Sequence, residues 1–368
     1  MIGKRPSPVR RLLPGGVPRR AESLFEQHAS CRFYGHGKGA LRDAVEPFVD
    51  PGERALLPAY LPDVVAEPFA DVGLDPEYYA VTESLGPDLD DLTERIDDET
   101  GVLVSVNYFG FPTASWAAAA ALADEHDCLH VDNASHSAFS VVDGTLLGTR
   151  GDVGFASLRK LLSTPDGAVL YAADGFDSAI VPSEYAGRRD RFTSADAATV
   201  GMSAAKAALS RREGLLRALQ GVVNGGPDDV TPPGDRYEAS KVPMSRLSSA
   251  LLARTDPAAV RGRRRANYVA WDRGLSDRAS VEPVFDDLAP GVCPQVYPVR
   301  AAAPGRFLTD LHAAGVDGAD TWPLLPASVR SSGEYPTARR LADEVVRLPV
   351  HQQIAPDEIA DACRALTS

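Results

Sequence analysis

The chain has 368 residues, 44% of them hydrophobic and 24% charged, with a net charge of −13 and a pI near 5.0. That length allows a large buried core and about two domains, and the acidic balance argues against a nucleic-acid-binding surface as the main function. No run of about 18 apolar residues occurs, so no transmembrane helix is expected. The basic N-terminus leads into Leu12-Leu13-Pro14-Gly15-Gly16 rather than an apolar core, so no signal peptide is expected either. Cys31, Cys128, Cys293 and Cys363 lie far apart with no metal-type spacing. They read as reduced thiols of a cytoplasmic protein, without a structural zinc.

Residues 1–20 carry six basic residues, four prolines and no acid, which predicts a loose arm over 1–26, disordered or crossing onto a partner subunit. Short apolar runs follow: Arg54 to Pro58, Val102 to Tyr108, Cys128 to Val131, Val153 to Ala156 and Ala168 to Tyr171. Ala114 to His126 reads as an amphipathic helix between the second and third. Strands separated by helices of this length indicate βαβ units and a mostly parallel sheet flanked by helices. The acidic stretch Asp88 to Glu99 reads as a solvated helix face. A Pro/Gly-rich hinge around Asn224 to Gly234 divides a large domain, 27–235, from a smaller C-terminal α+β domain, 236–368. The latter holds helices over Ser245–Leu252, Pro257–Leu275 and Pro356–Leu366.

Three segments carry the chemistry. His36-Gly37-Lys38-Gly39-Ala40 is a glycine-containing turn entering a helix, where backbone N–H groups and the positive helix end suit an anion such as a phosphate. Asp132 lies just past a buried-looking strand, at the carboxyl edge where open α/β sheets bind ligands. Ser157-Leu158-Arg159-Lys160 places a hydroxyl and an amine at the end of the next strand. The chain has only five lysines among 38 Lys and Arg residues, so it writes Arg where a positive charge alone is needed. Lys160 points to chemistry closed to a guanidinium: an amine can lose its proton and form a Schiff base. The bland alternative is a surface lysine at a strand-to-loop junction. Phosphate cradle, fixed carboxylate, hydroxyl and lysine together meet the needs of pyridoxal 5′-phosphate (PLP). Asp132 would keep the ring nitrogen protonated, Lys160 would hold the cofactor and move a proton, and Ser157 with the Lys38 and Gly39 amides would anchor the phosphate.

The sequence also resembles the DegT/AHBA-synthase family of PLP-dependent aminotransferases related to sugar and antibiotic biosynthesis, over roughly Phe33 to Leu366. The resemblance rests on Gly37-Lys38-Gly39-Ala40-Leu41, Leu57-Pro58-Ala59-Tyr60, Val106-Asn107-Tyr108-Phe109-Gly110-Phe111-Pro112, Val131-Asp132-Asn133-Ala134, Gly151-Asp152-Val153-Gly154-Phe155-Ala156-Ser157 and Thr164-Pro165-Asp166-Gly167-Ala168. Met244-Ser245-Arg246-Leu247 and Arg264-Arg265-Ala266-Asn267-Tyr268 also fit. It implies the fold-type I PLP-transferase architecture and a homodimer with shared active sites. It also implies transfer of an amino group from glutamate or glutamine to a keto or aldehyde acceptor such as a nucleotide-linked keto sugar.

The chain departs from the family pattern at several places. Ser135, followed by His136, stands where His or Gln covers the cofactor ring. Ser157 to Lys160 is two residues shorter than the family's interval. Asn107 stands where His is common, and Lys241 replaces the Asn that reaches the partner's phosphate. These changes put the standard sugar substrate in doubt. Tyr60 and His36 are candidate ring or substrate neighbours, while Arg264 and Tyr268 read as structural.

Other assignments compete. Ser157, His136 and Asp132 could form a hydrolase triad, but no Gly-x-Ser-x-Gly elbow is present. His130, Asp132 and His136 could ligate a metal, although a hydrogen-bonded histidine at a strand end is commoner. A PLP-binding partner or regulatory protein that does not transaminate is the rival of a different class. Sugar dehydration on the same scaffold is a further one, disfavoured because those relatives carry His in place of Lys160.

Overall fold

A computed structural model describes residues 2–4, 6, 21–209 and 233–367. Its large sheet is built from β1 (Ser30–Tyr34), β2 (Arg54–Pro58), β3 (Asp75–Tyr79), β4 (Thr100–Val106), β5 (Leu129–Asn133), β8 (Val153–Ser157) and β9 (Ala168–Ala172). A two-stranded ribbon, β6 (Val141–Val142) and β7 (Thr145–Leu146), interrupts that series. The sheet runs β1-β9-β8-β5-β4-β2-β3. Pairs from β3 through β2, β4 and β5 to β8 are parallel, whereas β9 runs antiparallel to both β8 and β1. Every residue of β4, β5, β8 and β9 is buried. Strands covered on both faces are written as continuous apolar runs, which is why β4, β8 and β9 are plain in the sequence.

The helix read as Ala114 to His126 spans Trp116–Glu125. Ser115 before it sits at φ 56°, a left-handed conformation that a helix cannot pass through. Ala119 and Ala123, four apart, are its fully buried residues, so its covered face is a narrow stripe. In the acidic stretch a helix spans Leu89–Arg95, with Asp88 as its N-cap.

The second sheet is antiparallel, in the order β10 (Val281–Pro283), β11 (Val296–Ala301), β13 (Val345–Pro349), β12 (Asp320–Thr321). The Pro257–Leu275 helix packs against the Pro356–Thr367 helix. One apolar core runs through both sheets, from Val104 and Phe111 to Tyr268, Val299 and Val346. Most of the basic N-terminal stretch and of the Pro/Gly-rich stretch around 224–234 falls outside the described residues. The described first residues dock on the second sheet's side of the molecule: Ile2 exchanges backbone hydrogen bonds with Gly315 and Gly318, and Lys4 pairs with Asp320.

Candidate functional site

The carboxyl ends of β4, β5 and β8 converge. Asp132 is the fourth residue of β5, paired with Ser105 of β4 on one side and Gly154 of β8 on the other. It is fully buried. Its Oδ1 accepts from Asn107 Nδ2 at 2.6 Å, and its Oδ2 from the Gly148 N–H at 2.8 Å and the Arg150 N–H at 3.2 Å, with Arg150 Nε at 3.4 Å. Gly148, at φ 101°, makes the turn that aims these amides inward; a Cβ there would come within 2.9 Å of Ala134 Cβ. A carboxylate offers about four acceptor positions, so Oδ2 is saturated while Oδ1 keeps room for another donor.

Ser157 ends β8 and is buried; Lys160 ends the 3-10 turn Leu158–Lys160 that follows and is half-buried. At the very next position, the Leu161 carbonyl accepts from Arg264 Nη2 at 2.8 Å and from Gln352 Nε2 at 3.2 Å. Arg264 also donates to the carbonyls of Pro294 and Gln295 and to Gln352 Oε1. Its structural reading therefore stands, with an added connection to the segment that carries Lys160.

His136 is buried, stacked on Phe109 at 5.7 Å and edge-on to Trp322 at 5.1 Å. Its Nδ1 accepts from the Phe109 N–H at 3.2 Å. Burial, reinforced by the charges of Lys160 and Arg347, pushes its pKa well below the ordinary imidazole value, so the ring is neutral at pH 7 with its proton on Nε2. Ser135 beside it is held through its N–H by Asn133 Oδ1 at 3.0 Å. Tyr60 is buried against Trp322 and donates to the Trp322 carbonyl at 2.6 Å, so packing and site neighbourhood coincide there.

The helix Gly37–Val45 begins at His36, which makes no side-chain cap. Gly37 lies under the Phe155 ring, 3.0 Å from where a Cβ would stand. Lys38 pairs with Glu67. Lys241 pairs with Asp71 at 3.1 Å and Glu238 at 2.8 Å, and both lysines lie over the ring of Tyr237, at 5.7 and 4.5 Å. Within one chain, Lys241 thus stands beside Lys38. Gly39 packs on Tyr185, whose ring is 3.1 Å from a Cβ placed there.

Two functional partners escape the sequence reading: Asn107 and Arg150 as donors to Asp132. Asn107 is visible there only as a replaced His. Arg150 directly precedes the Gly151-Asp152 motif, yet nothing in its spacing announces a partner 18 positions upstream. The Met244-Ser245 and Asp166-Gly167 motifs also prove to be one feature, since Ser245 Oγ donates to Asp166 Oδ1 at 2.9 Å while capping the Arg246–Ala253 helix.

The donor set fits PLP: a buried carboxylate with acceptor room, an amine and hydroxyl at the next strand's end, and an uncapped glycine-bearing helix start. Among the described residues, no group of three or more His, Cys, Asp or Glu could hold a metal ion, and no helix is long and apolar enough to cross a membrane.

Residues 48–212 match the model of the DegT/DnrJ/EryC1/StrS aminotransferase family. No curated protein matches the sequence. Among solved structures, the aminotransferase TlmJ from Streptoalloteichus hindustanus is 22% identical, covering 98% of this chain and 90% of its own at a TM-score of 0.66. PseC of Helicobacter pylori, an aminotransferase of pseudoaminic acid biosynthesis, is 14% identical over 98% and 94%, at 0.69. The putative sugar aminotransferase Spr1654 from Streptococcus pneumoniae, in its PLP form, is 17% identical over 98% and 93%, at 0.67. At these identities the likeness is one of fold.

Proposed function

We propose, from the match of residues 48–212 to the DegT/DnrJ/EryC1/StrS aminotransferase family model, a PLP-dependent aminotransferase whose acceptor is a keto or aldehyde compound of the sugar class. The observation that carries this reading is the pairing of a fully buried Asp132 at the end of β5 with Lys160 just past the end of the adjacent parallel β8.

When bound, PLP supplies an electron-accepting ring that takes up the electron pair left as a proton departs from the amino-bearing carbon. Asp132 Oδ1 would hold a proton on the cofactor's ring nitrogen. Lys160 would supply the amine that carries the cofactor and, as a free base, the group that moves a proton at the reacting carbon. The first-turn amides at Lys38 and Gly39, with Ser157, would hold the phosphate. Neutral His136 and Ser135 would flank the ring, and Lys241 would add positive charge near Lys38. The donor becomes a keto acid and the acceptor gains an amine. Glutamate or glutamine as donor, a nucleotide-linked keto sugar as acceptor, and a homodimer with shared active sites belong to the same proposal on the strength of the family. So does a domain division at 235/236, supported by the first sheet's strands all preceding it and the second's all following.

The test is the visible absorption of purified protein with added PLP, before and after glutamate or glutamine, beside Lys160→Ala. A lysine-bound cofactor band that Lys160→Ala abolishes, and that the donor converts to the pyridoxamine form, is expected. If PLP binds through Lys160 and neither donor changes the spectrum, the non-transaminating partner-protein reading takes its place.

A further inference from the structure

We propose that Arg150 is a positioning residue for the cofactor site, bridging Asp132 and Asn107 so that Asp132 Oδ1 faces the ring nitrogen and the buried carboxylate keeps a counter-charge. This rests on the reading above and adds a residue that the family resemblance does not supply.

The geometry is that of a fork. Arg150 Nη2 donates to Asn107 Oδ1 at 2.5 Å, while its Nε lies 3.4 Å from Asp132 Oδ2 and its backbone N–H 3.2 Å from the same oxygen. A guanidinium has only donors, so it dictates which end of the Asn107 amide turns towards it. The Thr113 N–H, at 3.2 Å, presses the same choice. The amide nitrogen is left facing Asp132 Oδ1 at 2.6 Å and the Asn133 carbonyl at 3.3 Å. Were the amide reversed, its NH2 would meet the guanidinium and its oxygen would meet a carboxylate. Arg150 therefore fixes the donor on Oδ1 at second hand and loads Oδ2 directly.

The guanidinium is itself held in plane. It lies 4.1 Å from the centre of the Trp116 ring, and Trp116 stacks on His130 at 4.3 Å. His130 Nε2 in turn shares a 2.9 Å hydrogen bond with Ser105 Oγ of the neighbouring strand β4. Asp132 is fully buried and Arg150 nearly so, with 15% of its side chain exposed. A charge so placed is costly without its partner. Lysine would keep the charge but could not span two acceptors in one plane.

The experiment is a double-mutant cycle of Arg150→Gln and Asp132→Asn, read by PLP dissociation constant and by melting temperature of the cofactor-free protein. With Asp132 intact, Arg150→Gln should weaken PLP binding about tenfold and lower the melting temperature. In the Asp132→Asn background the same change should shift affinity less than about twofold and should not lower the melting temperature further, since it removes the charge left unpaired. Arg150→Lys should recover part of the lost affinity. Equal losses in both backgrounds would assign Arg150 a structural role through Trp116 alone and overturn the proposal, as would no loss in either. If wild-type protein fails to bind PLP, the proposed function falls; melting of the cofactor-free proteins still decides the coupling of Arg150 to Asp132.

Discussion

The two ends of the candidate site are built on different principles. Around Asp132 a dry centre is tightly held: the carboxylate is fully buried, its donors are two backbone amides, an amide side chain and a stacked guanidinium, and the two side-chain donors are each fixed by a further contact. Around the Gly37 helix start the lysines are mostly covered but already compensated by carboxylates, Lys38 by Glu67 and Lys241 by Asp71 and by the exposed Glu238. Ion pairs near water are weak and exchangeable. The first end specifies a geometry; the second offers charge that an incoming anion can reassign.

Four outcomes would break or sharpen that contrast. The largest is Lys160→Ala, expected to cut transaminase turnover by at least about a thousandfold while leaving the fold intact, since a residue that acts covalently has no substitute. Asp132→Asn comes next: loss of the buried negative charge should lower turnover by roughly a hundredfold or more and leave Arg150 unpaired, lowering the melting temperature as well. Retained activity in either variant would end the assignment of roles.

The third concerns acid. Burial holds the His130 pKa at about 4 in the folded protein, opposed by Asp132 and aided by Arg150, and His136 also lies well below its ordinary value. The unfolded chain titrates near 6.5, so acid binds the unfolded state first and stability falls as pH drops below about 6.5. For His130 the loss stops near pH 4, having reached roughly 3 kcal/mol. Melting temperatures from pH 7 to 5 should fall, and His130→Asn should flatten the slope. The smallest effect belongs to the wet end. Lys38→Ala or Lys241→Ala should weaken PLP binding by less than about tenfold, and more so at low salt. A larger, salt-independent loss would mean that this end is as tightly specified as the other.

The same contrast decides what could be read from the sequence. Asp132 and Lys160 stand out because Asp132 lies near the end of a buried strand and Lys160 just past one, and β4, β8 and β9 carry no polar alternation to obscure the pattern. Strands β1 and β3 do not: Ser30–Tyr34 buries only its last two residues, and Asp75-Pro76-Glu77-Tyr78-Tyr79 opens with residues that disfavour strands. Nor does composition reveal that β9 turns back antiparallel. Arg150 stayed hidden because its contact with Asp132 is made by a glycine turn, which appears only once β5 and β8 are laid side by side. The described first residues of the N-terminus add a contact that composition does not announce. Its basic composition predicted a loose arm, yet Ile2 is buried and hydrogen-bonded at Gly315 and Gly318, an attachment set by one apolar side chain and two backbone pairs.

Arg264 gives the molecule a lever. One guanidinium grips the carbonyl of the residue next to Lys160, the carbonyls leading into β11 and the Gln352 amide just beyond β13. The second sheet therefore cannot swing without pulling on the segment that holds the reactive amine. An acceptor that draws this sheet inward would adjust the position of that amine in the same stroke, so substrate fit and catalytic alignment would share a single joint.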